Sequence, residues 1–306
     1  MPHNIGTFRI PMGRFYGPAM LTPLEAVWDT VFGMAIDFPV TGLKETMERP
    51  KLPDTTGFTE EQIYDLYACY VEIHGSADAR QALADGKQVI IALRLETDTR
   101  SNEGRGVYDD RMAITWKGSD GKKHAKEFAA NTEPSAQYEQ RGKVEVEKIV
   151  KNKKSGKYVK VKVKQTEDLF DPVTGKKVRF SKNDGQDVDG NKRQDAGQLA
   201  QGTYKFNNMG SGTFLGGKYL GSSNDQVAQR DVNHDGKFTA ADSWTGKDGA
   251  QTGTHSGNFA MYIHKGGKEN TWSAGCQTLP PQEHKNFFKE LDKKQNEYYY
   301  VLVNVE

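Results

Sequence analysis

The chain has 306 residues, 42 Lys and Arg against 41 Asp and Glu, a net charge of +1, 35% hydrophobic residues, 32 glycines and two cysteines. That balance argues against a global electrostatic pull toward nucleic acid, and two well-separated cysteines give no disulfide framework. No stretch approaches the roughly 20 apolar residues that cross a bilayer, so no membrane insertion is expected.

The expected fold class is α+β, in three regions: a helical N-terminal region over 1–87, a β-rich region over 88–195 that carries a basic hairpin insertion, and a region over 196–306 that carries the chemistry. Met1 to Thr7 shows neither a basic leader nor an apolar core, so no Sec-type signal is expected. Thr22-Pro23-Leu24-Glu25 combines a cap residue, a proline at the first helical position and a glutamate three after the cap, which predicts a helix over 23–36. Thr59-Glu60-Glu61-Gln62 is a capping box, with Phe58 and Ile63 placed as a hydrophobic staple, and its helix is expected to reach Ile73 and stop near Gly75. Cys69 sits among aromatics on that helix and is expected in the core. Ser76 to Leu83 predicts a short helix ending at Gly86.

At Gln88 the period changes. Val89 to Leu93 and Met112 to Trp116 read as strands, and Gly118-Ser119-Asp120-Gly121 as a turn into Lys123 to Phe128. Asp109 and Asp110 are read as solvated turn carboxylates rather than as an acid/base pair. Ten Lys and Arg lie between Arg141 and Lys164, and alternation on both sides of Lys153-Lys154-Ser155-Gly156 predicts a hairpin with a basic outer face. A solvated edge guarded by lysines and a patch that grips an anionic wall polymer both fit this hairpin; sparse aromatics make nucleic acid the weaker partner.

Asp231-Val232-Asn233-His234-Asp235-Gly236-Lys237-Phe238-Thr239-Ala240-Ala241-Asp242 puts oxygen side chains at loop positions 1, 3, 5, 9 and 12 with glycine at 6. Calcium takes six to eight hard oxygen ligands, and this spacing wraps Asp231, Asn233, Asp235, the Lys237 carbonyl, Thr239 and Asp242 around one ion. The loop resembles the dockerin and EF-hand loop, with Asp242 in place of the usual Glu, and a structural Ca2+ is expected. Asp187, Asp189 and Asn191 form a poorer echo. Pro281 to about Gln295 reads as an amphipathic helix and Tyr298 to Val305 as a final strand that completes the sheet.

Between these elements lies Tyr262-Ile263-His264-Lys265-Gly266-Gly267, followed by Trp272-Ser273-Ala274-Gly275-Cys276-Gln277-Thr278. A thiol becomes a usable nucleophile when an imidazole takes its proton, and small residues before it let a carbonyl approach backbone N–H groups. Cys276 is the candidate nucleophile and His264 its base, with His255, in a polar setting, ranked behind. Ser273 is placed to hydrogen-bond across the turn, Trp272 to wall a pocket, and the N–H groups near Gly275 and Cys276 to hold an oxyanion.

This segment resembles the catalytic segment of the L,D-transpeptidases, cysteine enzymes of peptidoglycan stem peptides with a His, a spacer, then Ser/Thr-His-Gly-Cys-x-Arg/Asn. His264, Ser273, Gly275 and Cys276 match; Ala274 stands in the place of the second His, Thr278 in that of the Arg or Asn, and the spacer is shorter. The Ser-Ala-Gly-Cys branch found among phage-related proteins and type VI secretion effectors is more similar, and Gly202-Thr203-Tyr204-Lys205-Phe206 looks like the strand that precedes its site. The resemblance implies catalysis by Cys276, His264, Ser273 and Gly275, with Trp272, Gly266, Gly267 and Thr278 near substrate. It further implies stem peptides as substrate, delivery to the periplasm or wall of a target cell as an antibacterial effector, and an immunity or secretion-machinery partner. A calcium-stabilised, non-enzymatic binding or structural module of phage or secretion machinery is the rival reading.

Overall fold

Helix α1 (Glu60–His74) starts at the capping box: Thr59 Oγ1 accepts the Gln62 N–H at 3.3 Å, and Gln62 Oε1 accepts the Thr59 N–H at 2.9 Å. Cys69 is buried on it, and burial pushes its thiol up to about 11, as a core cysteine requires. Ser76 caps α2 (Ala77–Ala84) by accepting the Ala79 N–H at 3.2 Å. The structure is a computed structural model and describes residues 50–136, 143–166, 169–170, 177–178, 186–191, 194–212, 215–246, 249–252, 254–257 and 261–306. The helix expected over 23–36 lies outside the described residues.

The strands are β1 (Val89–Arg94), β2 (Asp110–Lys117), β3 (Lys123–Ala130), β4 (Lys143–Lys151), β5 (Tyr158–Thr166), β6 (Leu169–Phe170), β7 (Lys177–Val178), β8 (Ala196–Leu199), β9 (Gly202–Gly212), β10 (Gly217–Ser222), β11 (Gln226–Asp231), β12 (Ser243–Gly246), β13 (Gly249–Thr252), β14 (Thr254–Gly257), β15 (Ile263–Lys265), β16 (Gln277–Leu279) and β17 (Glu297–Asn304); α3 (Pro281–Glu290) precedes β17. Eight of them form one mixed sheet in the order β16-β15-β10-β9-β17-β1-β2-β3. The β1/β17 and β15/β16 pairs are parallel and the other pairs antiparallel. The two edges of the sheet then meet. Asn131, one residue past β3, exchanges both backbone hydrogen bonds with Thr278 of β16 at 2.8 Å, so the sheet closes on itself.

Closure separates two cores. Alternate residues such as Ile90, Met112, Ile263 and Leu302 point to one side, where Phe287 of α3 joins them; Val89, Ile91, Val301 and Val303 point to the other, beneath α1 and α2. Strands β1 and β17 are apolar on both faces because both are covered, which is why they read as near-continuous hydrophobic runs. The boundaries at 87/88 and 195/196 do not divide cores: strands from either side of 195/196 pair in one sheet, and the helices before 87 pack on it. Beside the main sheet, β8, β11 and β14 form a three-stranded sheet, and β4 pairs with β5 as the expected hairpin.

Two expectations are corrected. Helix α3 stops at Glu290 rather than near Gln295, because Gln88 intercepts its end: Nε2 donates to the Glu290 carbonyl at 2.8 Å and Oε1 accepts the Asp292 N–H at 2.7 Å. Asp110 is not a solvated turn carboxylate. It is buried at the start of β2, where Oδ1 accepts the Leu95 N–H at 2.8 Å and Oδ2 accepts the N–H and hydroxyl of Thr132, each at 2.7 Å. Asp109 Oδ2 accepts the Thr97 hydroxyl at 2.5 Å.

Phe287 is fully buried and meets Phe128 edge-on with ring centroids 5.4 Å apart. Phe287→Ala is expected to lower the unfolding free energy by about 3–5 kcal/mol, read by urea denaturation with the slope unchanged.

Candidate active site

Cys276 ends a tight turn that runs directly into β16. Ser273 holds the turn together: its hydroxyl donates to the Cys276 carbonyl at 2.7 Å and accepts the Gly275 N–H at 3.1 Å. This is the bond across the turn expected of Ser273. It also engages the Gly275 N–H, so that group is not the oxyanion donor the sequence suggested. Gly275 has φ of +121°, and a Cβ there would fall 2.2 Å from the Gly197 carbonyl oxygen, so only glycine fits.

A strap of residues 131–136 grips the turn on both sides of the sulfur. Ser135 donates its N–H at 2.8 Å and its hydroxyl at 3.0 Å to the Ser273 carbonyl, three residues before Cys276, while Asn131 holds Thr278 two residues after it. The strap is anchored from below by Arg94, a fully buried guanidinium whose Nε donates to the Thr132 hydroxyl at 2.8 Å, Nη2 to the Thr132 carbonyl at 2.9 Å and Nη1 to the Leu199 carbonyl at 2.6 Å. Glu133 lies 3.9 Å from Arg94, and Asn131 Nδ2 donates to it at 3.1 Å. Burial and the adjoining Asp110 push the Glu133 carboxyl well above the usual range. None of Arg94, Asn131, Glu133 and Ser135 stood out in the sequence, and Asp110 was read there as a solvated turn carboxylate. They lie 140 or more positions from Cys276, except that the strap directly follows a predicted strand.

His264 is on the neighbouring strand. In the parallel β15/β16 pair His264 lies opposite Thr278 and Ile263 opposite Gln277, so His264 and Thr278 share one face, and Cys276 immediately precedes the strand. His264 Nδ1 is 2.9 Å from the Lys265 carbonyl. A carbonyl only accepts, so Nδ1 carries the proton and Nε2 the lone pair. Burial drives the imidazole down to about 4, opposed by the Lys265 carbonyl and assisted by His284, which keeps the ring neutral at physiological pH. The Tyr262 N–H donates to Cys276 Sγ at 3.3 Å, a donor matched to charge on sulfur.

Of the residues expected near substrate, Trp272 is 48% exposed beside the turn, as a pocket wall would be. Thr278 is fully buried between β15 and the strap, and Gly266 and Gly267 are buried under Tyr108. Tyr108 Oη shares its proton between the Gly267 and Asn270 carbonyls at 2.9 and 3.0 Å, and a Cβ on Gly266 would fall 2.0 Å from it. Those three positions pack the site rather than face a ligand. His255 lies in β14, outside the main sheet, and not in the loop expected for it.

The acidic loop is closed by hydrogen bonds from its own backbone N–H groups to its carboxylates. Asp231 accepts the Asp235 and Gly236 N–H groups at 3.0 Å, Asp235 accepts the Lys237 N–H at 2.9 Å, and Asp242 accepts the Val232 and Thr239 N–H groups at 3.0 and 2.7 Å. Among the described residues, however, the carboxylates gathered closely enough to hold a metal ion, within 4.8 Å of one another, are Asp187 and Asp189 of the poorer echo together with Asp195, which that reading did not include. The two loops adjoin: His234 Nε2 is 3.2 Å from Asp195 Oδ1, and β8 pairs Ala196 with Asp231.

Because the folded imidazole of His264 titrates near 4 and an unfolded one near 6.5, the unfolded chain binds the extra proton between those values. Its contribution of about 3 kcal/mol is intact above pH 6.5 and lost as pH falls toward 4, so His264→Gln is expected to flatten the stability profile across that window, read by thermal melts. No protein-family model matches the chain, and no curated protein and no solved structure matches it significantly.

Proposed function

We propose that the chain is a cysteine-dependent enzyme of peptidoglycan stem peptides, of L,D-transpeptidase or L,D-carboxypeptidase/endopeptidase type, acting as an antibacterial effector in the periplasm or wall of a target cell. One observation carries this reading: a partly exposed Cys276 in a clamped Ser-Ala-Gly-Cys turn leads directly into the strand that pairs with the strand of His264, whose Nδ1–H is fixed on a carbonyl. In the proposed reaction His264 Nε2 takes the thiol proton as Sγ attacks a stem-peptide carbonyl. The tetrahedral species collapses with loss of the amine, which receives the proton from His264, and leaves a thioester. Water as acceptor then gives hydrolysis, and a second stem-peptide amine gives transfer; either releases the thiol. An immunity protein that covers Cys276 and Trp272 is the partner such an effector needs.

Calcium is proposed as a brace held by Asp231, Asn233, Asp235, the Lys237 carbonyl, Thr239 and Asp242. The donor set is all hard oxygen, and a carboxylate oxygen that accepts one N–H keeps a second lone pair for an ion. The route to the site is short. Asp195, at the junction of both acidic loops, is two residues before Gly197, whose carbonyl supports Gly275.

The rival binding module is favoured by the burial of His264, 5% exposed, which restricts its access to substrate. Mass spectrometry of muropeptides separates the two. The enzyme reading expects new products with the wild type and none with Cys276→Ala, their masses distinguishing hydrolysis from transfer. No product from tetrapeptide, pentapeptide or cross-linked substrates would favour the module. Ca2+ at a hundredfold excess over Kd is expected to stabilise the wild type by about 2.7 kcal/mol, read as a raised thermal midpoint, and to leave the midpoint of Asp231→Ala unchanged.

A further inference from the structure

The β4–β5 hairpin is a two-stranded ribbon that joins no other strand among the described residues. Residues 147–163 carry seven lysines, no arginine and one acidic residue, Glu147, a net +6 in a chain whose total is +1, so the remaining residues are net −5. Charge is therefore concentrated on this one element. A solvated edge guarded by lysines accounts for that charge but not for what accompanies it. Of the seven large apolar side chains exposed among the described residues, four lie on three consecutive rungs beside the turn: Ile149 at 68%, Val150 at 40%, Tyr158 at 71% and Val159 at 38%.

We propose that this ribbon is a docking arm for the surface of an anionic lipid bilayer. Residues directly opposite in an antiparallel pair point to the same face. Ile149 lies opposite Lys160 and Tyr158 opposite Lys151, so the two most exposed apolar side chains of the ribbon share one face, each flanked by a lysine. Such a face seats isoleucine and tyrosine at the headgroup boundary, while the lysine stems lie along them and hold their ammonium groups among the lipid phosphates. Glu147, 3.2 Å from Lys160, is the one acidic group on this stretch and sits on the body side of Ile149. The alternatives fit less of the surface. A soluble polyanion is gripped by charge alone and gives the apolar side chains no role; single-stranded nucleic acid calls for aromatic platforms and favours arginine, and this stretch has one tyrosine and no arginine. Peripheral docking is compatible with the lack of a membrane-spanning helix among the described residues. The inference uses neither Cys276 nor the reaction proposed for it.

The test is co-sedimentation of the full chain with large vesicles of phosphatidylcholine, alone or with one third phosphatidylglycerol, under rising salt. Binding is expected only with phosphatidylglycerol. It is expected to weaken roughly fivefold for each charge removed in Lys151→Gln/Lys160→Gln, and by at least about tenfold in Ile149→Ser/Tyr158→Ser, which leaves the charge intact. All four positions are on the ribbon, so an unchanged thermal midpoint shows that the body remains folded. Absence of binding to phosphatidylglycerol vesicles would overturn the proposal. So would binding that Ile149→Ser/Tyr158→Ser leaves intact, which would make the ribbon a grip for polyanions in general.

Discussion

The pair of hydrogen bonds between Asn131 and Thr278 is the constraint on which the candidate site depends. They join the two edges of an eight-stranded sheet, and they do so two residues from Cys276. The sulfur is thus mounted on the seam. With Ser135 gripping Ser273 on the other side, the proposed nucleophile is held by a segment more than a hundred residues away in the chain, so that moving its turn means breaking the contacts that close the sheet.

The strap in turn depends on buried charge. A guanidinium out of water is tolerated only with its donors satisfied and a counter-charge at hand, and Arg94 has Thr132 and Leu199 as acceptors with Glu133 and Asp110 nearby. Removing one member of such a cluster costs about 3–5 kcal/mol, because the others are left buried and unpaired. The Leu199 contact ties the first strands to β8, and β8 carries Gly197 beneath Gly275. Strands that look like separate regions in the sequence meet through this cluster. The acidic loops attach to the same strut at Asp195 and Asp231, so an ion bound there would stiffen the support of the turn rather than take part in chemistry.

The two proposed surfaces differ in their physics. Around Cys276 the backbone is enclosed, with Thr278, Ser273, Gly266 and Gly267 all buried, and specificity must come from the few groups left at the surface, Trp272 among them. The ribbon is the reverse: exposed beside its turn, mostly of one charge, and paired with no other strand among the described residues. The first suits a site that positions one bond, the second a contact with an extended surface.

Local chemistry was legible in the sequence. The capping box at Thr59, the core position of Cys69 and the hairpin around Lys153 to Gly156 depend on residues close to one another in the chain, and all have the expected form. So do the Ser273 bond across the turn and the strand that carries His264. What tertiary structure alone decided is where these pieces meet. Asp110 looked like a turn carboxylate because nothing nearby in the chain announces Arg94, Thr132 and Leu95 around it; Thr278 looked open because its partner Asn131 belongs to another strand; Gln88 shortens a helix some 200 residues away. The hydrophobic period says that a strand is covered but not by what, and a polar side chain's role follows from its distant partners. Identity and spacing therefore determined the reactive segment and its candidate nucleophile, while burial, closure of the sheet and the sharing of donors decided which residues hold it in place.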